Sequence, residues 1–420
     1  MSQRNTIAAR HGRTLLFVSS ISAGVANYAF GLLCVHQLGA STYADIAAVM
    51  SISMIITVPL AGLQAAYGRD VAIAVGGEDR SALRGLIEHG RRRAVTLQVL
   101  VFAIATATVP IAHYGAGVSE PELLVLLPLL TLGSTTVPIA SGLLQGAERY
   151  TGLAIVTGIG GFVKFAAAPV GIAIAGGVGA VLAGVVGAAA AMLVSIALVR
   201  PVRTWAGRAA AAVRVAPATT ALSSVALVAY AVLSNADLVL AQVVLTDAGA
   251  GNYAAATIAG RGVTFIATTV SVILLTSTAR RMTQGVDTLV PLRRTMFAVA
   301  SLGVALAALC AATPDAIYAR VFGTAGDVSG LVAMSVIALT SAGLVNNLLS
   351  YALAHRLRWF VTGVFAASVV FPVVSVLLVD SGMELVAALT SVTVACIATF
   401  FIRVRRTPDP IELASRIDPT

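Results

Sequence analysis

Apolar residues recur along the chain in long runs that short polar or basic connections separate. An α-helix needs about 20 apolar residues to cross the hydrocarbon core of a bilayer. Twelve runs approach that length, with limits 14–38, 43–66, 94–114, 121–145, 151–173, 177–199, 219–244, 252–277, 295–313, 329–353, 359–379 and 383–402. Only Gly176–Gly177 divides the fifth run from the sixth. The pattern predicts an all-α, polytopic membrane protein with about 12 transmembrane helices.

Composition and charge placement agree with this prediction. The 420 residues are 58% hydrophobic and 11% charged, with a mean hydropathy of +0.94. A net charge of +9 could indicate nucleic-acid binding, but the basic residues lie almost entirely in the short connections. If the N-terminus is inside, 24 of the 27 basic residues fall in inside segments. This asymmetry follows the positive-inside rule and predicts an even number of helices, both termini cytoplasmic and no nucleic-acid partner.

The connections leave no room for a catalytic domain, so we do not expect an enzyme. The longest connection runs from Gly68 to Arg93, and its residues 71–93 are expected to form a basic loop along the inner membrane surface. Cys34, Cys310 and Cys396 lie inside apolar runs without pairwise spacing and are expected to be buried free thiols. The scattered histidines form no ligand cluster, and the sequence predicts neither a metal nor another cofactor.

An internal repeat relates the two halves of the chain. Gly39-Ala-Ser-Thr-Tyr43 aligns with Gly249-Ala-Gly-Asn-Tyr253 at an offset of 210 residues, and this places Asn27 opposite Asp237. Leu143-Leu144 matches Leu348-Leu349 at an offset of 205 residues. The repeat predicts two six-helix halves around a central cavity, residues 1–200 and 201–403, followed by a cytoplasmic tail at 404–420. An even number of helices per half relates the halves by an axis along the membrane normal, with a substrate path between them.

Charged and polar groups inside the runs mark a candidate site. On the eighth run, polar residues recur at helical spacing at Thr257, Arg261, Thr264, Thr268 and Ser271. Asp237 lies in the seventh run and Lys164 in the fifth. Charges at this depth are costly unless they are paired or hydrated. Two interpretations stay open: a structural ion pair within the bundle, or cavity charges that meet an anionic substrate. The candidate substrate-binding residues are Arg261, Lys164, Asp237, Thr264 and Thr268.

Asp45 also lies near the end of an apolar run and could hold a proton or sodium ion. However, Thr42-x-x-Asp45 has the spacing of a capping box, with Asp in place of Glu, where a carboxylate favours the helix dipole. The sequence therefore predicts a helix cap at Asp45 in preference to an ion site.

These features together resemble a known group of transporters. The turn Gly-x-x-x-Tyr after the first and seventh runs, the aspartate in the seventh run, and Leu-Leu-Gln-Gly-Ala-Glu-Arg-Tyr150 closing the fourth are the residues that carry the likeness. The chain resembles the polysaccharide-transporter branch of the multidrug/oligosaccharidyl-lipid/polysaccharide exporter superfamily. The resemblance implies a flippase in the bacterial cytoplasmic membrane that carries polyprenyl-pyrophosphate-linked sugars to the outer leaflet for envelope polysaccharide synthesis. It also implies a cationic cavity for the pyrophosphate, a role that suits Lys164 and Arg261, with membrane lipids as further partners.

Two other functions are weighed against this one. The first spans carry no arginines, whereas relatives that handle peptidoglycan precursor typically carry several, so the resemblance to those relatives is weaker. The alternative function is a cation-coupled exporter of drugs or other small molecules, with Asp237 as the site for a coupling H⁺ or Na⁺. A membrane glycosyltransferase would need catalytic residues on a sizeable outer loop, but residues 314–328 offer only Asp315, Arg320 and Asp327 as charged groups.

Overall fold

The protein is a bundle of long α-helices, here given by a computed structural model that describes residues 3–77, 79–115, 120–205, 217–283, 286–322 and 328–406. The helices are α1 (Gln3–Leu38), α2 (Ala40–Thr57), α3 (Ala61–Gly76), α4 (Arg80–Gly115), α5 (Pro121–Val125), α6 (Leu127–Leu130), α7 (Thr136–Gly146), α8 (Tyr150–Trp205), α9 (Pro217–Val244), α10 (Asp247–Thr283), α11 (Leu289–Ala312), α12 (Asp315–Phe322), α13 (Ser329–Ala354), α14 (Arg358–Leu378) and α15 (Gly382–Arg406). Within the described ranges there is no strand. Most of the predicted tail, residues 407–420, lies outside them.

The predicted all-α membrane fold is confirmed. Nine helical stretches of the described residues are long and apolar enough to cross a membrane, and the 55-residue stretch Tyr150–Thr204 among them contains two crossings. Its backbone leaves helical geometry at Ala175 and Gly176, where φ is 53° and ψ is −130° at the glycine. Gly171 and Gly179, on either side of this break, lie with their backbones in contact. The chain therefore reverses at the break that Gly176–Gly177 predicts. The broken segment 121–146 and α10 complete the twelve.

The expected basic loop at residues 71–93 is wrong, because this region is almost entirely helical. Helix α3 continues to Gly76, and α4 begins at Arg80 and runs without interruption into the apolar segment. Arg84 lies 2.9 Å from Glu88, at i and i+4, and this kind of ion pair supports a helix. Leu83 and Leu86 are buried in a small core beside Tyr67 of α3. Charge density made the segment look like a loop, although its apolar positions have helical spacing.

The fourth crossing is irregular. Helices α5, α6 and α7 follow one another with breaks between them, and Gly133 has a φ of 76°. Hydrogen bonds between side chains and backbone join this broken segment to α4. Gln98 Nε2 donates to the carbonyl of Thr131 at 2.9 Å, and Thr135 Oγ1 donates to the carbonyl of Ala94 at 2.9 Å. Non-helical backbone is tolerated at membrane depth where protein groups satisfy it in this way.

The helices form two halves that meet along four helices. In the first half, α1 lies beside the first limb of α8, where Gly158 packs against Ser19 and Gly161 against Ala23. Such close approach requires small residues at the contact. In the second half, α13 packs against α10, α11 and α15. The halves touch mainly through α1 and α2 on one side and α9 and α10 on the other, which are the helices that the repeat relates.

The bundle has two ends, which we name by the helices that meet there. The N-terminal face is the end at which α1 and α8 begin and α13 finishes; the opposite face contains the α1–α2 and α9–α10 turns. At the opposite face the halves are in close contact. Gly251 of α10 packs against the backbone of Ala40 and Ser41, so a side chain there would collide with α2.

Asp45 belongs to this closure, and the predicted helix cap at this residue is wrong. Helix α2 begins after Gly39 and has no side-chain cap, so Asp45 lies inside the helix, with 3% of its surface exposed. Its Oδ1 accepts a hydrogen bond of 2.9 Å from Nε2 of Gln242 on α9. The aspartate therefore bridges the two halves at the opposite face. Its partner lies 197 residues away in the chain. A capping pattern of four consecutive residues cannot predict a contact between residues so far apart.

Candidate functional site: a charged cavity between the halves

A cavity of about 1200 Å³ lies between the two halves and extends to the N-terminal face. Its walls come from both halves, chiefly from α1, α2, α3, α8, α9, α10 and α13. At its deep end it is lined by Asn27, Phe30, Lys164 and Arg261, and at its mouth by Arg69, Asp70 and Glu148. Beyond the deep end lie the closed contacts of the opposite face. The cavity is thus accessible from one end of the bundle.

Arg261 and Asp237 form an ion pair on the second half. Arg261 Nη2 lies 3.1 Å from Asp237 Oδ1, and Nη1 donates to the carbonyl of Ser234 at 3.2 Å and to Asn235 Oδ1 at 3.3 Å. Tyr253 Oη donates to the other Asp237 oxygen at 3.3 Å. The side chain of Arg261 is 23% exposed to the cavity, whereas that of Asp237 is fully buried. The carboxylate therefore neutralises the arginine from behind, and only the guanidinium faces the cavity.

Lys164, on the first limb of α8, has a different environment. Its Nζ donates to Oδ1 of Asn27 on α1 and lies 4.4 Å from the centre of the Phe30 ring. An amide oxygen and an aromatic face both stabilise an ammonium without cancelling its charge. Within the described ranges no carboxylate lies within ion-pair distance of Lys164. At about 1.5 Å per residue, it lies about 20 Å along the helix from Tyr150 at the N-terminal face. Lys164 is thus a half-buried cation whose charge no carboxylate of the described residues compensates.

The predicted polar stripe on α10 only partly faces the cavity. Thr264, Thr268 and Ser271 line it together with Arg261, whereas Thr257 is buried elsewhere and bonds within its own helix. Thr268 Oγ1 donates to the carbonyl of Thr264 at 2.8 Å and lies 3.2 Å from Tyr230 Oη. These hydroxyls already have partners, but their oxygens keep capacity to accept or exchange bonds with a ligand.

The mouth of the cavity contains an unusual backbone conformation at Glu148, between α7 and α8. Glu148 has a φ of 55°, in the left-handed region that favours glycine. The N–H of Arg149 reaches back to the carbonyl of Leu144 at 2.8 Å, which completes a helix-ending motif. The α13–α14 turn repeats it, with Arg356 at φ 55° and a bond of 2.8 Å from Leu357 to Ala352. The repeat is therefore present in backbone geometry, while the Glu148 carboxylate lines the cavity.

All five sequence-predicted site residues lie at or beside this cavity, Asp237 indirectly through Arg261. Sequence reasoning missed Asn27 and Phe30 as partners of Lys164, and Tyr253 as a partner of Asp237. A signal for two of them was present in the repeat, because Asn27 aligns with Asp237 and Tyr43 with Tyr253. Phe30 carries no such signal, since a phenylalanine in an apolar run is ordinary.

No family profile matches the chain, and no curated protein does. Solved structures do match, over nearly the whole length. The eukaryotic MATE transporter AtDTX14 has a TM-score of 0.67 at 10% identity, covering 96% of each chain. The lipid II flippase MurJ, in an inward closed conformation, has a TM-score of 0.61 at 14% identity, covering 94% of this chain and 88% of MurJ.

A third structure is a MOP superfamily transporter from Pyrococcus furiosus, described as having a binding pocket of reversed polarity. It has a TM-score of 0.58 at 12% identity and covers 94% of this chain and 96% of its own. At these identities the likeness establishes architecture and not substrate. The chain has the twelve-helix, two-half fold of MATE and MOP superfamily transporters.

Proposed function

We propose that the protein is a membrane transporter that moves polyprenyl-pyrophosphate-linked sugars from the cytoplasmic to the outer leaflet for envelope polysaccharide synthesis. The observation that supports this best is Lys164, a cation at the deep end of a cavity of about 1200 Å³ that has no carboxylate partner in the part of the chain that the structure describes. An uncompensated charge at membrane depth is costly, and such charges mark substrate or ion pathways. An anionic head group would supply the missing countercharge.

The electrostatic gain is large enough to matter. Two unit charges 4 Å apart attract by about 4 kcal/mol at an effective dielectric constant of 20, against about 1 kcal/mol in water. A pyrophosphate brings two or more negative charges to Lys164. Arg261 adds a guanidinium that is 23% exposed to the cavity, where its outer Nη2 can donate to a phosphate oxygen. Thr264 and Thr268 are secondary contacts in this proposal, because their hydroxyls lie on the same wall as Arg261.

The orientation in the membrane is part of the proposal. With both termini in the cytoplasm, the N-terminal face is cytoplasmic and the cavity is open inward. Residues 1–200 and 201–403 then act as the two lobes whose rocking alternates access. Asp45–Gln242 and the contact of Gly251 with α2 hold the lobes together on the outer side and must separate for release. The MurJ likeness supports a flippase reading of this fold, because MurJ is described as a lipid II flippase.

The cation-coupled exporter remains the competing function, since AtDTX14 shares this fold and is described as a MATE transporter. In that mechanism Asp237 would take up H⁺ or Na⁺. Against it, the Asp237 carboxylate is fully buried and already accepts bonds from Arg261 and Tyr253. A coupling ion would have to displace the guanidinium before it reached the carboxylate.

A comparison of substrates tests the proposal. The purified protein is reconstituted in vesicles and given either a fluorescent polyprenyl-pyrophosphate sugar or a fluorescent organic cation. The flippase proposal predicts protein-dependent transfer of the lipid-linked sugar between leaflets and no accumulation of the cation. Cation accumulation driven by a proton or sodium gradient, with no transfer of the lipid-linked sugar, would favour the exporter instead.

A further inference from the structure

At the deep end of the cavity, Lys164 comes from the first half and Arg261 from the second, and residues that the repeat aligns contact these two cations. On the second half, Arg261 binds Asp237 of α9. On the first half, Lys164 binds Asn27 of α1. The repeat at an offset of 210 residues aligns Asn27 with Asp237. The same position therefore contacts the cavity cation in both halves, but it is an amide in one and a carboxylate in the other.

Because of this difference between an amide and a carboxylate, the net positive charge at the deep end of the cavity lies on the first half. The Arg261–Asp237 pair has no net charge, whereas the Lys164–Asn27 pair keeps one positive charge. Asn and Asp have nearly the same shape, so the amide preserves the hydrogen bond while omitting the countercharge. A carboxylate at position 27 would lie in hydrogen-bond contact with the ammonium, the arrangement of a charge-assisted bond.

We infer that Asn27 is the residue that makes the cavity selective for anionic head groups. Its amide accepts a hydrogen bond from the Lys164 ammonium without neutralising it, and so leaves that charge for a phosphate ligand. The inference rests on the proposed function and narrows it to a phosphate subsite formed by Lys164, Asn27 and Phe30. In this role Asn27 is a positioning residue: it acts through the lysine, and the second half, already neutral, contributes hydrogen bonds more than charge.

The test is equilibrium binding of three ligands that share a farnesyl chain and differ in head-group charge: farnesyl pyrophosphate, farnesyl phosphate and farnesol. Wild-type protein is expected to prefer the pyrophosphate over the alcohol. Asn27→Asp should reduce pyrophosphate affinity by at least about tenfold, because the new carboxylate both pairs with Lys164 and repels the ligand. Its affinity for farnesol should stay unchanged. The variant should fold, because it gains an ion pair.

Two variants separate charge from structure. Gln145→Glu is the matched control, since it makes the same amide-to-acid change at the cavity mouth. Gln145 Oε1 accepts a bond of 3.1 Å from Gln64, and a glutamate can keep that bond. It should change pyrophosphate affinity by less than about threefold, because the added charge lies at the cavity mouth and not beside Lys164 at the deep end. Asn27→Ala removes the amide but leaves the ammonium, so it should keep most of the preference for charged head groups.

The outcomes distinguish the inference from the proposed function. If wild-type protein binds farnesyl pyrophosphate no better than farnesol, the proposed function fails. If it prefers the pyrophosphate and Asn27→Asp keeps that preference, the inference about Asn27 fails and the flippase proposal stands. If Asn27→Ala loses as much affinity for farnesyl pyrophosphate as Asn27→Asp does, the inference also fails. That result would show that the amide contact, and not the absence of a carboxylate, sets the preference.

Discussion

Removing either member of the Arg261–Asp237 pair should destabilise the protein, but by unequal amounts. Arg261→Gln leaves a carboxylate that is fully buried and keeps two neutral partners, the Tyr253 hydroxyl at 3.3 Å and the backbone N–H of Leu238, but no countercharge among the described residues. Leaving such a charge unpaired costs about 3–5 kcal/mol. Asp237→Asn leaves a guanidinium that is 23% exposed to the cavity and still donates to Ser234 and Asn235. Its cost should be nearer 1–3 kcal/mol, roughly that of one charged hydrogen bond.

The assay is thermal unfolding of the purified variants in one detergent at constant pH, with the double variant Arg261→Gln/Asp237→Asn included. The double variant should be more stable than Arg261→Gln alone, because it no longer buries an unpaired charge. A double-mutant cycle should give a coupling of about 1.5 kcal/mol or more. Strictly additive effects, or a larger loss in Asp237→Asn than in Arg261→Gln, would refute the pairing argument.

Three further changes should have distinct effects. Gly187→Ala places a methyl group 2.5 Å from the carbonyl oxygen of Gly160 and 2.9 Å from Lys164 Cβ, so the helix limb that carries Lys164 must shift. Binding of farnesyl pyrophosphate should weaken, whereas Gly363→Ala, which meets open space, should not change it. Equal binding by both variants would refute this packing argument. Glu148→Gly should raise the free energy of unfolding by about 1 kcal/mol, since glycine adopts a left-handed φ without strain; an unchanged or lower stability in denaturant titrations would contradict this. Burial lowers the pKa of His355 from its ordinary value of 6.5, so the unfolded chain binds a proton that the folded chain resists. Stability should therefore fall as the pH drops below that value, and in His355→Gln it should fall less; identical pH profiles would exclude the histidine.

Much of the fold could be predicted from the sequence, because membrane crossing imposes a length on apolar runs and the basic residues mark one side. The division at Gly176–Gly177 was visible because glycine alone interrupts a continuous apolar stretch. The prediction for region 71–93 was wrong because charge was taken as a sign of a loop, whereas Arg84 and Glu88 form an ion pair within a helix that continues into the apolar segment.

The site was predicted less completely, because it depends on contacts between distant residues. Buried charges in apolar runs identified Lys164, Asp237 and Arg261, and helical spacing identified Thr264 and Thr268. Which charges pair could not be read from spacing. Arg261 and Asp237 lie 24 residues apart in the chain, and Lys164 and Asn27 lie 137 apart. Only the three-dimensional structure therefore shows that Arg261, and not Lys164, contacts the carboxylate. The prediction of a helix cap at Asp45 was wrong for the same reason, because its partner Gln242 lies on the other half.

The central claim is that the positive charge of Lys164 holds the pyrophosphate, and a translocation assay tests this claim most directly. Vesicles containing wild-type protein, Lys164→Arg or Lys164→Gln are compared for transfer of a fluorescent polyprenyl-pyrophosphate sugar, at equal amounts of folded protein. We expect wild-type protein to flip the lipid, Lys164→Arg to keep part of the rate, and Lys164→Gln to lose at least about 90% of it, the tenfold change that about 1.4 kcal/mol produces. A wild-type rate in Lys164→Gln would contradict the claim that this cation holds the pyrophosphate.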